Sequence, residues 1–183
     1  MKKILTLTIP VILIFINSCN KENSLIPDIY WGEVTALKNG EPWNGKIRAA
    51  PNAIFGYGFD IRIDVYNGYD IQIESFKITK IPYLERYYII DTIKSNVDSV
   101  LTGASYGTLL GGDVIGNLYN VFPGDINNFI TVTSYNETTR EVEGAFEVMF
   151  VKRPIQGYIG DPSSPDTLRF TNGIFHTKVN ELE

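Results

Sequence analysis

Residues 59–80 read FDIRIDVYNGYDIQIESFKITK, and the first eight of them decide the fold class. Phe59, Ile61, Ile63 and Val65 alternate with Asp60, Arg62, Asp64 and Tyr66, a period of two sustained over a whole strand. Asn67-Gly68 follows, a dipeptide that tolerates the positive φ of a type I′ hairpin. The chain then resumes with Ile71 and Ile73 before its apolar phase slips to Phe76 and Ile78. A slip of one residue swaps the two faces of a strand, so a β-bulge is expected near Glu74-Ser75.

The same pattern recurs outward in both directions. Glu33 to Lys38 runs into Asn39-Gly40, Arg86 to Thr92 offers RYYIIDT, and Asp113 to Phe122 ends at Pro123-Gly124-Asp125. Phe129 to Tyr135 and Glu141 to Lys152 flank Asn136-Glu137-Thr138-Thr139 as a hairpin. Thr167 to Phe170 and Ile174 to Val179 are expected around a turn at Asn172-Gly173. No window of a dozen residues repeats apolar positions at helical spacing, which excludes βαβ units with a parallel sheet. The expectation is an all-β chain, an antiparallel β-sandwich of about nine strands, with an up-and-down lipocalin-like β-barrel as the alternative. Lys94 to Gly112 and Pro154 to Asp166 read as long irregular loops, the usual carriers of binding.

The first residues carry an address. Met1-Lys2-Lys3 is followed by thirteen uncharged, mostly aliphatic residues, Ile4 to Ile16. As a helix this run is about 20 Å long, too short for a bilayer core of roughly 30 Å. A positive start, a short apolar run and a small residue before a cut make a secretory signal peptide. Ile16-Asn17-Ser18-Cys19 resembles the lipobox of bacterial lipoproteins, although Asn17 departs from the commoner Ala, Ser or Thr. That resemblance implies cleavage before Cys19 and attachment of lipid to its thiol, with palmitate-type acylation of the new terminus. One acyl chain anchors only marginally, so several are required. The expected organisation is a lipoprotein signal peptide at 1–18, a lipidated tether at 19–28 and a single β-domain at 29–183. Lys21-Glu22 resembles the export signal of surface lipoproteins in Bacteroidota, but Asn23 stands where a second acid would strengthen it. An outer-membrane location is expected, with cell surface and periplasmic face both open.

Composition narrows function mostly by exclusion. Cleavage removes two lysines and no acid, taking the formal charge from −5 to −7, and no Lys/Arg cluster stands out along the chain. Nucleic acid is therefore not an expected partner. The one cysteine is consumed by lipid, so no disulfide supports the fold. The eleven tyrosines suit a pleated, half-buried surface.

Three further segments carry a family resemblance. Glu141 to Phe150, EVEGAFEVMF, and Leu168 to Phe175, LRFTNGIF, together with Ala36 to Gly45, ALKNGEPWNG, resemble the strands and the "NG-x-P-W" opening of a family of small Bacteroidota lipoproteins of uncharacterised function. The resemblance covers about a quarter of the mature chain. It implies an all-β envelope lipoprotein and lends no catalytic residue.

Chemistry-bearing residues are few. His176 is the only histidine and no Gly-x-Ser-x-Gly elbow accompanies it, so a Ser-His-acid triad is not expected. One histidine and a lipidated cysteine do not make a zinc site. Paired carboxylates for glycoside hydrolysis would be sought among Asp60, Asp64, Glu141, Glu143 and Glu147, all of which also fit a solvated strand face. Gly160 to Asp166 and Gly124 to Asn128 are rich in oxygen, but neither has the alternation of an EF-hand loop and both read as turns. Asn136-Glu137-Thr138 fits a glycosylation sequon and, in a bacterial chain, reads as a polar turn. Trp31 and Trp43 are the candidate ligand-binding aromatics, with core capping as the other role open to them. No cofactor is expected. The function expected is a non-enzymatic binding or accessory module on a lipid anchor, taking a glycan, another small ligand or an envelope protein. The alternatives are a carboxylate-dependent glycan hydrolase and a structural subunit of an outer-membrane complex.

Overall fold

The computed structural model describes residues 29–52, 57–92, 101–123, 127–154 and 160–180, and within them the chain is strand, bridge and turn throughout. Cys19, the signal segment and most of the tether fall outside the described residues. Twelve strands are described: β1 (Gly32–Lys38), β2 (Glu41–Asn44), β3 (Lys46–Pro51), β4 (Phe59–Tyr66), β5 (Gln72–Ile81), β6 (Tyr87–Ile89), β7 (Asp91–Thr92), β8 (Gly103–Leu110), β9 (Val114–Val121), β10 (Phe129–Tyr135), β11 (Glu141–Arg153) and β12 (Thr167–Lys178).

They form one sheet in the order β2-β1-β12-β11-β9-β8-β5-β4-β3, with β10 and β6 branching from β11 and β7 lying parallel to β8. The all-β antiparallel expectation is met, and of the two forms left open the sheet takes a nearly closed barrel. Closure comes where β3 meets the start of β1 and the end of β12. The Trp31 amide donates to the Ile47 carbonyl at 2.9 Å, and the Asn180 amide to the Ala49 carbonyl at 3.0 Å. A parallel bridge joins Ala49 to Val179.

The long strand β11 holds the two lobes of the sheet together. Its first half, Val142 to Glu147, pairs with β10, and its last residues, Phe150 to Arg153, pair with β9. Within the half paired with β10, Gly144 lets β10 and the Phe175 ring of β12 approach closely. A Cβ there would stand 2.1 Å from the Thr131 carbonyl oxygen and 2.5 Å from the Phe175 ring.

An eight-stranded barrel is just wide enough to be filled by side chains or to hold one small ligand. Here aromatic rings occupy the centre. Phe76 packs against Phe146 at 5.4 Å, Phe150 at 5.3 Å and Phe170 at 5.0 Å, and Tyr106 lies 5.4 Å from Phe170. Pairs of this kind add about 0.5–1.5 kcal/mol each beyond their buried area. These rings alternate with outward polar residues along their strands, as Phe76 and Ile78 do with Ser75 and Lys77 on β5.

Several local expectations are corrected. The count rises from nine strands to twelve: β2, β3 and β8 were not foreseen, the strand expected over Arg86 to Thr92 divides into β6 and β7, and the two expected from Thr167 to Val179 are one. Strand β8 lies inside the stretch read as a loop from Lys94 to Gly112; residues 93–100 of that stretch lie outside the described residues. Asn172-Gly173 is no turn: β12 runs through it, with Asn172 at φ 53° and the register shifting against β1 and β11. The expected bulge falls on Ile73, between Gln72 and Glu74, one residue ahead of the expected pair. It leaves Glu74 in phase with Phe76 and Ile78, facing inward. The turn after β4 places its positive φ on Asp70, at 57°, and not on Asn67-Gly68. Asn67 Oδ1 accepts from the Tyr69 and Ile71 amides, so the loop is an Asx turn ending in a left-handed residue.

Candidate functional site

The barrel seam does not close along its whole length. Between β1 and β4 a groove of about 470 Å³ remains, lined by Glu33 and Thr35 from β1, Asn44 and Lys46 at the β2–β3 junction, and Asp64, Tyr66, Asn67 and Asp70 from β4 and its turn. Carboxylates, amides, hydroxyls and an aromatic ring converge there. Concave sites with a few oriented polar groups are the usual form of a small-ligand site.

The wall of this groove is organised by Asp64, which is fully buried although it sits on the outward phase of β4. Burying a carboxylate is costly unless hydrogen bonds replace its water. Three donors do so: Tyr30 Oη at 2.6 Å, Arg62 Nε at 2.9 Å and Gln72 Nε2 at 2.7 Å. Tyr30 Oη also lies 2.8 Å from Tyr66 Oη, and the two rings meet edge to face at 6.1 Å. Burial, reinforced by the hydrogen bond to Asp64, pushes the Tyr30 phenol well above its ordinary range, so it stays protonated as a fixed donor. The effect is to hold Tyr66 in place along the groove wall.

A second polar cluster gathers around Glu74. Glu74 faces inward, receives the Trp43 indole N–H at 2.8 Å and forms an ion pair with Lys38. Lys38 Nζ also reaches Tyr106 Oη at 3.4 Å, and burial beside Glu74 raises the Tyr106 phenol.

The residues singled out from sequence scatter over the molecule. Trp43 is 6 % exposed, with its ring edge-on to Phe170 at 4.9 Å, so it caps the core and presents no open face to a ligand. Trp31 is 38 % exposed and meets His176 edge to face at 5.2 Å, next to the Gly32 end of the groove. His176 Nε2 lies 3.9 Å from Glu141 and 4.0 Å from Glu143 on the outer surface of β11 and β12. Asp60 is held by Asn52 at 2.7 Å, by the Lys80 amide at 3.0 Å and by Lys77 at 3.3 Å. Glu147, the last of the candidate carboxylates, lies opposite Phe129 on the edge shared by β11 and β10.

The oxygen-rich loops satisfy themselves. Asp161 accepts from the Ser163 amide at 2.9 Å, Ser163 Oγ at 2.6 Å and Ser164 Oγ at 3.1 Å, and the Ser163 hydroxyl chiefly holds its carboxyl below the usual range. The loop is pinned over the barrel by Asn117 and Tyr119, which bond Ser164 Oγ and the Pro165 carbonyl at 2.9 Å each. In the other loop residues 124–126 lie outside the described set, while Asn128 bonds Phe122 and Met149 as a structural clamp. Among the described residues no group of three or more His, Cys, Asp or Glu could hold a metal ion. Asn136 spends its side-chain oxygen on the Thr138 and Thr139 amides, as a turn residue.

Comparison with protein-family models, curated proteins and solved structures returns no match. What the groove can do therefore rests on its own chemistry. Its acceptors and donors suit hydroxyl groups, and Tyr66 adds an aromatic flank. Asp64 has its two carboxylate oxygens taken by three donors. Sequence inspection missed this site because Tyr30 arrives from 34 positions away to cover Asp64. Asp64, named among the candidate carboxylates, and the polar turn from Asn67 were its visible signals.

Proposed function

We propose that this chain is an envelope lipoprotein, anchored at the outer membrane through lipid on Cys19, whose β-domain binds a glycan without transforming it. The observation that carries the binding part is the open seam groove, about 470 Å³ of space lined by polar side chains together with Val34 and Val65, with Tyr66 held beside it by Tyr30 and Asp64. Sugar hydroxyls pair with its amides and carboxylates, and the Tyr66 ring supports a pyranose face. The anchoring part rests on the positive start, the short apolar run and Cys19 at its end, and on the resemblance of Ile16 to Cys19 to a lipobox.

A hydrolase is the less favoured reading. Its candidate carboxylates Asp60 and Asp64 are engaged by other groups, and Asp64 is buried. A glycan array probed with the domain from residue 25 onward tests the proposal. Retention of at least one oligosaccharide, lost in Tyr66→Ala and Asn44→Ala, is expected. Silence across the array moves the assignment to a structural subunit of an outer-membrane complex.

A further inference from the structure

The outer wall of the barrel carries a second depression, of about 350 Å³, that shares no lining residue with the seam groove. Its floor is made of small outward residues. Ser75 lies opposite Gly107, and Ser105 lies between Lys77 and Asn120 in cross-strand register. Arg62 and Lys77 form one rim and Arg153 the other, with Leu109, Ile115 and Leu118 as an apolar side.

The cations are placed at a cost to the sheet. Arg48, Arg62 and Lys77 stand directly opposite one another on β3, β4 and β5. Like charges in that position repel. Asp64 takes Arg62 at 2.9 Å and Asp60 takes Lys77 at 3.3 Å. Two guanidinium groups are left over. Arg153 is exposed, with no ion pair among the described residues, and Arg48 Nε is buried with no hydrogen-bond acceptor. In a chain of net charge −5, Arg62, Lys77 and Arg153 gather around one depression, a placement that suits an anion, while Arg48 stands beside Arg62 outside its lining.

We propose that this depression binds the acid group of an acidic saccharide, a carboxylate or a sulfate, between Arg62, Lys77 and Arg153. Guanidinium forks pair such groups bidentately. The Ser75, Ser105 and Asn120 side chains meet the sugar hydroxyls, and Leu118 and Ile115 face its C–H side. Asp60 and Asp64 on the same face disfavour a flat anionic membrane and favour a single recessed acid group.

The test is calorimetric titration of the mature protein in a polyoxyethylene detergent with trigalacturonate and with a chondroitin 6-sulfate disaccharide. Expected is binding of at least one, weakened as salt is raised, and at least tenfold weaker binding of methyl-esterified trigalacturonate where the uronate binds. Arg153→Glu and the floor-filling Ser105→Leu each reduce affinity at least tenfold with the melting temperature retained, while Arg153→Lys stays within about threefold. The proposal is overturned if neither acid binds, if the neutral ester binds equally, if inorganic sulfate binds as tightly as the saccharides, or if Arg153→Glu changes nothing. Asn44→Ala, in the seam groove, is expected to leave this binding intact. Loss of binding there with Arg153→Glu silent would refute this site and leave the seam reading standing.

Discussion

Replacing Trp43 separates a core side chain from a ligand platform. The ring is 6 % exposed, packs at 4.9 Å on Phe170 and 6.1 Å on Phe76, and donates to Glu74 at 2.8 Å. Truncating a buried Trp to Ala costs about 3–5 kcal/mol, a large part of the roughly 5–15 kcal/mol that holds a domain folded. Trp43→Phe keeps most of the apolar contact and loses the N–H bond. A hydrogen bond to a charged group contributes about 1.5–3 kcal/mol, and Glu74 keeps Lys38 and some solvent, so the lower end applies. We expect about 1–2 kcal/mol for Trp43→Phe. In urea unfolding followed by circular dichroism, with a slope of about 2 kcal/mol per molar, this lowers the midpoint by roughly 0.5–1 M. The emission of Trp43→Phe, then due to the more exposed Trp31, shifts to the red. Both variants falling within about 0.5 kcal/mol of the parent, the range of surface substitutions, would refute the capping role.

Other consequences are equally direct. Gly144→Ala, whose Cβ meets the Thr131 carbonyl at 2.1 Å and Phe175 at 2.5 Å, is expected to destabilise by about 1–3 kcal/mol or more, whereas Gly68→Ala, with nothing within 4 Å, stays within about 0.5 kcal/mol in the same urea assay. Asp64→Asn removes the charge that orders Tyr30, Arg62 and Gln72 and is expected to cost about 2–3 kcal/mol in urea unfolding; an unchanged midpoint contradicts this. Tyr30, Tyr83, Tyr88, Tyr106 and Tyr119 are all raised above 10.0, with burial the leading cause. A phenol raised in the folded state contributes stability that is fully present below pH 10 and is lost as the pH rises through its folded value. Absorbance at 295 nm should therefore show these five of the eleven tyrosines ionising late, together with unfolding; all eleven ionising near pH 10 with native circular dichroism speaks against it. Cys19→Ala should abolish palmitate incorporation, and persistent labelling sinks the anchor.

Strands with clean alternation were legible to the residue. Phe59–Tyr66 and Phe129–Tyr135 have the bounds that their apolar phase implies, because one face packs on the core and the other meets water or polar partners. Strand β8, GASYGTLL, was not legible. Its inward Ala104 and Tyr106 are buried, but its outward positions are Ser and Gly, which resemble a loop. Asn172-Gly173 has turn composition and yet serves as a bulge, since β1 and β11 hold the strand from both sides. The candidate groove was hidden for a different reason. Asp64 looks like an ordinary outward acid until Tyr30, Tyr66 and Gln72 cover it, and local sequence contains nothing of that contact. Trp43 shows the same limit from the other side, since its indole N–H is met by Glu74, turned inward by the bulge at Ile73.

The central claim is that the seam groove between β1 and β4 receives a glycan. Amide chemical-shift mapping on the isotopically labelled domain, titrated with an oligosaccharide retained on the array, tests it most directly. The account predicts shifts confined to Glu33, Thr35, Asn44, Tyr66 and Asn67, which line the groove, and their loss in Tyr66→Ala. Shifts clustered elsewhere, or none at millimolar sugar, would contradict it.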